Sequence, residues 1–176
     1  MTIEWFLRFS NKHRKGDILI YTYKIPSPIG LLTVSSDGTS ITGLWIEGQK
    51  YFAATLGNNT IENELPLFSK LRKWLDCYFE GNNPELTLPL LPVGSEFRKS
   101  VWKILCEIPY GKTITYGDIA KQLGKPARAV GGAVGHNPIS ILIPCHRVIG
   151  ANGNLTGYAG GIDKKIELLR LEKVLK

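Results

Sequence analysis

The chain has few cysteines, and none stands where a disulfide or a metal would need it. Cys77, Cys106 and Cys145 are odd in number and far apart, which excludes a disulfide framework and a CxxC metal pair. The three histidines are equally scattered, so no four-ligand zinc set is in view and no metal is expected. Scattered free thiols fit a reducing compartment, so the expected location is the cytoplasm, or the nucleus if the source is eukaryotic. Long apolar runs are missing as well, and no membrane partner is expected. Trp5-Phe6-Leu7 is short and broken by Arg8, unlike a signal-peptide core. There is no internal repeat and no low-complexity segment. Gly157-x-x-Gly160-Gly161 lacks the preceding strand, the spacing and the distal acid of a dinucleotide fingerprint.

What is present is an ordinary globular composition, 43% hydrophobic over 176 residues, enough to bury a core in one domain or two small ones. The charge is divided unevenly. Residues 1–90 hold 9 Lys/Arg against 9 Asp/Glu, whereas residues 91–176 hold 13 against 6 and carry the whole net +7. A basic half fits a polyanion such as nucleic acid. On charge alone, solvated surface lysines explain it equally well.

Local patterning separates the same two halves. Residues 18–25, 31–34 and 41–46 are rich in β-branched and aromatic residues, with turns at Ser27-Pro28-Ile29-Gly30 and Asp37-Gly38, which predicts a small antiparallel sheet. Leu67, Leu71, Trp74, Leu75 and Tyr78 recur at helical spacing between Pro66 and Gly81. The Pro- and Asn-rich stretch 82–92 is the expected boundary, dividing 1–90 from 91–176. Phe97, Val101, Ile104, Leu105 and Ile108 form the stripe of a second helix, closed by Gly111. Thr115 with Asp118 resembles a capping box opening a third helix that runs to Gly124. Lys125-Pro126 opens a short fourth over 127–134, completing a helix-turn-helix pattern. Gly131-Gly132 costs this last helix roughly 2 kcal/mol relative to two alanines. Close helix packing explains such small residues, and so does a smooth face for a DNA groove. Ile162, Ile166 and Leu169 mark a C-terminal helix.

The chemistry concentrates at Pro144-Cys145-His146-Arg147-Val148-Ile149, after the apolar run 141–143. A thiol beside an imidazole is a candidate nucleophile, because a neighbouring base can generate the thiolate. Neighbours in an extended strand point to opposite faces, so a direct Cys145–His146 contact is not expected. A buried structural thiol is the alternative for Cys145. For Cys77 and Cys106, each inside a helix, it is the preferred reading.

Several separate motifs over roughly residues 95–176 resemble the O6-alkylguanine-DNA alkyltransferase family. They are Pro109-Tyr110-Gly111-Lys112 leading into Thr115-Tyr116, Ala127 to Ala133, Asn137-Pro138, Pro144 to Val148, and Gly157-Tyr158-Ala159-Gly160-Gly161. The N-terminal half is only loosely similar. The resemblance implies an α+β protein with a ribonuclease-H-like N-terminal domain, without that enzyme's chemistry, and a mostly helical C-terminal domain of winged-helix or helix-turn-helix type. It implies a monomer that repairs double-stranded DNA containing O6-alkylguanine, moving the alkyl group to Cys145 in a single turnover. No cofactor is implied, since the alkyl group comes from the DNA.

The resemblance also assigns roles. His146 would activate Cys145 through a water, with Glu172 orienting the imidazole. Tyr116 would hydrogen-bond ring N3 of the leaving purine. Helix 127–134, with Ala127, Ala129, Gly131 and Gly132 on its face, would enter the minor groove, and Arg128 would fill the place of the extruded base. Extrusion is needed because O6 inside a stacked duplex is out of reach of a buried thiol. Asn137 would tie the turn before the cysteine, and Val148, Tyr158 and Ala159 would line the pocket through backbone groups. Ala159 stands where many relatives carry serine, and Ser140 where some carry proline, leaving the tolerance for bulky alkyl groups open. Two other readings remain at this point: a non-catalytic module that binds alkylated DNA or regulates transcription, and a Cys-His hydrolase with Glu172 behind the histidine.

Overall fold

The computed structural model describes residues 18–176; Trp5-Phe6-Leu7 lies outside that range. The N-terminal half is built on a four-stranded sheet of β1 (Ile20–Ile25), β2 (Leu32–Ser36), β3 (Ile41–Ile46) and β4 (Thr60–Glu62), in the order β3-β2-β1-β4. The first three strands are antiparallel, as the turn signals predict. β4 corrects the expected all-antiparallel sheet to a mixed one, because it adds to β1 in parallel. Its three residues, Thr-Ile-Glu, are all exposed, too short a run to signal a strand, which takes about 4–8 residues. Asp37 shapes the β2–β3 turn by accepting from the backbone N–H groups of Thr39 and Ser40 at 2.9 and 2.7 Å. Helix α1 (Pro66–Phe79) buries Phe68, Leu71, Leu75 and Tyr78. It meets β1 where Phe68 stacks on Tyr23 and the Arg72 guanidinium lies over the same ring.

The remaining edge of β3 is occupied by two irregular segments from later in the chain. Ile41 exchanges backbone hydrogen bonds with Pro89 and Leu91, and Leu44 with Pro138 and Ser140, all at 2.8–2.9 Å. The N-terminal sheet therefore grips the chain five residues before Cys145.

The C-terminal half contains α2 (Glu96–Glu107), α3 (Tyr116–Leu123), α4 (Ala127–Gly135) and α5 (Ile162–Leu171). Two short parallel strands, β5 (Ile114–Thr115) and β6 (Val148–Ile149), join them. Ser95 caps α2, the capping box of Thr115 and Asp118 opens α3, and Gly124 closes it in the left-handed conformation. α4 forms despite its glycines. It buries Val130 and Val134, worth about 1.5–3 kcal/mol each, which offsets the propensity cost. Trp102 of α2 donates its indole N–H to the Ala133 carbonyl at 2.9 Å. Close packing does not explain the glycines: a Cβ on Gly132 or Gly135 would meet nothing, and one on Gly131 would make ordinary contact with Tyr116. That face is open. Among the described residues, no helix is long and apolar enough to cross a membrane.

Removing the α3 cap tests this local account. Thr115→Ala should destabilise the protein by about 1 kcal/mol, whereas Thr115→Ser, which keeps the accepting oxygen, should cost clearly less. Urea denaturation of the two variants would show the difference.

Candidate active site

Cys145 and His146 do not lie in a strand. Residues 145–147 form a single 3-10 turn after Pro144, which corrects the expected extended geometry. The reason is visible in the side chains. His146 and Arg147 are adjacent in sequence yet both reach Glu172, which a strand would prevent by sending them to opposite faces. His146 Nε2 lies 2.8 Å from Glu172 Oε1, and Arg147 donates from Nε to Oε2 at 2.8 Å and from Nη2 to Oε1 at 2.9 Å. Tyr78 donates its hydroxyl to Oε1 at 2.7 Å, and the Gly111 N–H donates to Oε2 at 3.2 Å.

This arrangement sets the protonation states. Burial pushes the Glu172 carboxyl up, but the bonds from His146 and Arg147 outweigh it and hold the group well below the usual carboxylate range. Burial, only partly offset by Glu172, holds His146 below its ordinary value of 6.5. A neutral imidazole facing a carboxylate carries its proton on the facing nitrogen. Nδ1 is then the acceptor, and it is buried with no hydrogen-bond partner among the described residues. Cys145, 4% exposed, has its thiol pushed up by burial. The Asn137 amide, the Lys165 ammonium and the backbone N–H groups of Cys145 and His146 pull it back down.

Asn137 stitches the approach to the cysteine. Its amide donates to the Ile143 carbonyl at 2.8 Å, and its oxygen accepts from the Ile139 N–H at 3.0 Å. The apolar run is thus a buried loop, with Ile141 in the left-handed region at φ 70°. A β-branched residue there is strained, and the strain sits four residues before the thiol.

A cavity of about 540 Å³ is walled by Tyr116, Ala127, Gly131, Gly132 and Thr156–Ala159 and, from the N-terminal half, by Lys50 and Tyr51; Cys145 is not on its wall, but its charge acts on Tyr116 and Tyr158, which are. Burial, followed by the influence of Cys145, raises the Tyr116 hydroxyl to about 12. That hydroxyl lies 3.1 Å from the Gly157 carbonyl and 3.3 Å from that of Thr156, so its proton is held by the loop. Tyr158 buries its own hydroxyl without a partner among the described residues, and Gly160 makes room for the ring: a Cβ there would come within 2.7 Å of it. Ala159 lines the cavity; Asn137, Ser140 and Val148 do not. Ser140 turns instead to Gln49, Oγ to Oε1 3.2 Å, so the expectation that it borders the pocket is corrected. The Val148 carbonyl is taken by Lys165 Nζ at 2.6 Å. Arg128 and Ala129 stand exposed on α4, and Arg128 has no ion pair among the described residues.

Two domain profiles of one family span this chain. Residues 96–174 match the DNA binding domain of 6-O-methylguanine DNA methyltransferase, and residues 19–92 match its ribonuclease-like domain. The chain belongs to this family. A methylated-DNA–protein-cysteine methyltransferase of Haemophilus influenzae is 45% identical over 159 residues, 89% of this chain and 87% of the relative. One from Methanosarcina mazei is 45% identical over 157 residues, 88% and 98% of the two chains. Among solved structures, Mycobacterium tuberculosis OGT in complex with DNA superposes with a TM-score of 0.78 at 47% identity, over 87% of this chain and 92% of that one. The family's DNA binding domain contains Cys145, Glu172 with His146 and Arg147, and the open glycine face of α4, whereas Tyr78 belongs to the ribonuclease-like domain. The fold class and the enzyme class expected from the sequence both stand.

Three parts of the site were missed in the sequence. Tyr78 counted only as an apolar stripe residue of α1, and Arg147 carries no local sign of its partner. Lys165 was findable: with Leu168 and Leu169 it occupies the buried stripe of α5, where a lysine is out of place unless it has work. It spans β6 and the loop, bonding the carbonyls of Val148 and Thr156, and burial lowers its ammonium to about 8.

The protonation scheme predicts how stability depends on pH. The unfolded chain takes up a proton on His146 near 6.5 while the folded chain does not, so folding weakens as pH falls below that value. Glu172, whose ordinary value is 4.5, adds a second loss of the same sign below about pH 5. Urea midpoints measured from pH 7.5 to 4 should fall in both windows. A flat profile across the first would mean that His146 is charged in the folded state.

Proposed function

We propose that this protein repairs double-stranded DNA by moving an alkyl group from O6 of guanine to Cys145, once per molecule. The observation that carries the reading is the unpartnered Nδ1 of His146, fixed as an acceptor by Glu172, on the residue next in the chain to a buried thiol. His146, through one water, takes the thiol proton as sulfur attacks the alkyl carbon. The carbon–oxygen bond breaks with its electron pair passing to the purine. The purine gains one proton overall, so guanine and a thioether are the products. Glu172 stabilises the imidazolium that forms in between.

Tyr116 is proposed as the donor to ring N3. A hydroxyl raised to about 12 is a poor acid but a sound hydrogen-bond donor to developing charge, and it would exchange the loop carbonyls for the purine. Backbone groups of Tyr158 and Ala159 would line the base pocket. α4, whose open glycine face borders the cavity, would lie along the groove with Ala127 and Ala129 close to it and Arg128 in the stack. A monomer acting in the cytoplasm, or in a nucleus, completes the proposal.

Intact mass spectrometry after mixing with duplex DNA containing O6-methylguanine should show one added methyl group, mapped to Cys145, and then no further reaction. Cys145→Ala should bind the duplex and gain no mass. Repeated turnover would favour a Cys-His hydrolase instead. For Tyr116→Phe, single-turnover transfer at saturating protein should slow by roughly ten- to a hundredfold, at or below the lower limit for losing one donor to developing charge, because water partly substitutes for it. An unchanged rate with weaker DNA affinity would make Tyr116 a positioning residue.

A further inference from the structure

The cavity has a wall that the C-terminal half does not supply. Lys50 and Tyr51 follow β3 and close the side next to His136 at the end of α4. The loop that carries them is held firmly. Gln49 is buried and accepts from the Ile46 N–H at 2.7 Å and from Ser140 Oγ at 3.2 Å, and the Lys50 N–H donates to the Ala159 carbonyl at 2.8 Å. The chain turns sharply there, and Tyr51 takes the left-handed conformation at φ 60°, which is uncommon for a bulky residue. In that conformation its ring stacks on His136, with centroids 3.9 Å apart and planes 22° apart.

The chemistry of this wall has one sign. Lys50 Nζ lies 5.0 Å from the centre of the Tyr51 ring, and no carboxylate pairs with it among the described residues. Among the described residues, none that lines the cavity is acidic. His136 is held by its Nδ1, 2.7 Å from the Gly132 carbonyl, so it braces the Tyr51 ring from α4. The two side chains bring an ammonium and a phenol hydroxyl, both hydrogen-bond donors, to the wall beside the end of α4. An ammonium without an ion-pair partner among the described residues, on the wall of a cavity with ample room for a base, matches an anionic oxygen just outside it.

We propose that Lys50 and Tyr51, braced by His136, bind a backbone phosphate of the strand whose base enters the cavity. The N-terminal half is then part of the DNA-binding surface, and its loop couples that contact to Ala159 in the pocket. This inference rests on the reading of the cavity as the site of an extruded base.

The test uses the full-length protein, a duplex with one O6-methylguanine, and the free base O6-methylguanine as a substrate without phosphate. In Lys50→Ala the ratio of the duplex rate to the free-base rate, at limiting protein, should fall by about fivefold, the scale of one solvent-screened charge contact. The dependence of log affinity on log salt should become shallower by about 0.9, the change expected for one phosphate. Lys50→Arg should restore both, and Tyr51→Phe should lower the ratio while leaving the salt slope alone. An unchanged salt slope in Lys50→Ala, or equal losses on duplex and free base, would overturn the proposal and make the loop a support for Ala159. If the unaltered protein transfers nothing from either substrate, the alkyl-transfer reading itself fails, and the salt slope still judges the phosphate contact.

Discussion

One carboxylate organises the reactive centre. Glu172 sits just past the end of α5, buried, and receives donors from α1, from the loop before β5 and from the turn that carries the nucleophile. A buried charge of this kind is stable only when its oxygens are fully engaged, and removing one partner of such a pair costs about 3–5 kcal/mol. Here the same bonds that satisfy the charge also dictate geometry. They force Cys145–Arg147 into a turn, choose the imidazole tautomer and aim Nδ1 away from the carboxylate. Stability and reactivity are therefore coupled through one side chain, and the groups that hold Glu172 ionised are the ones that need it for orientation.

The thiol itself is under two opposed influences. Burial favours the neutral form, and the Asn137 amide, Lys165 and two backbone N–H groups favour the thiolate. Burial prevails at rest, which leaves the proton in place until a base removes it. Lys165 belongs to this balance and to the architecture alike. Its ammonium is fully buried yet bonded to the carbonyls of Val148 and Thr156, so it ties β6 to the loop that forms the cavity wall. Burying a cation is costly unless it is hydrogen-bonded, as this one is to two carbonyls, and its field favours the Cys145 thiolate.

The two halves of the chain divide the remaining work. The N-terminal sheet offers the edge of β3 to residues 138–140, holding the strained loop at Ile141 that leads to the nucleophile. Without β3, the Pro138 carbonyl and the Ser140 amide at the root of that buried loop would be stranded. Asn137 completes the pairing from the other side.

Local chemistry was enough to read much of this from the chain. The capping box at Thr115 and Asp118, the Asp37-Gly38 turn, the stripes of α1 and α2 and the nucleophile motif are all short-range patterns, in which the residues that interact are a few positions apart. The division of charge between the halves is likewise a property of the sequence. Partners distant in sequence were legible only in part: the resemblance linked His146 to Glu172, but nothing local pairs Arg147 or Tyr78 with that carboxylate, and nothing brings Gln49 to Ser140. β4 is too short to be read from its own residues and is defined by its pairing with the edge of β1. The turn at Cys145–Arg147 was decided by a carboxylate 25 residues downstream of Arg147, and the cavity by a loop and helices that meet only once the sheet and the helical half have docked. A sequence specifies which bonds each segment can make alone; which buried charge finds which donor is settled only when the segments are packed together.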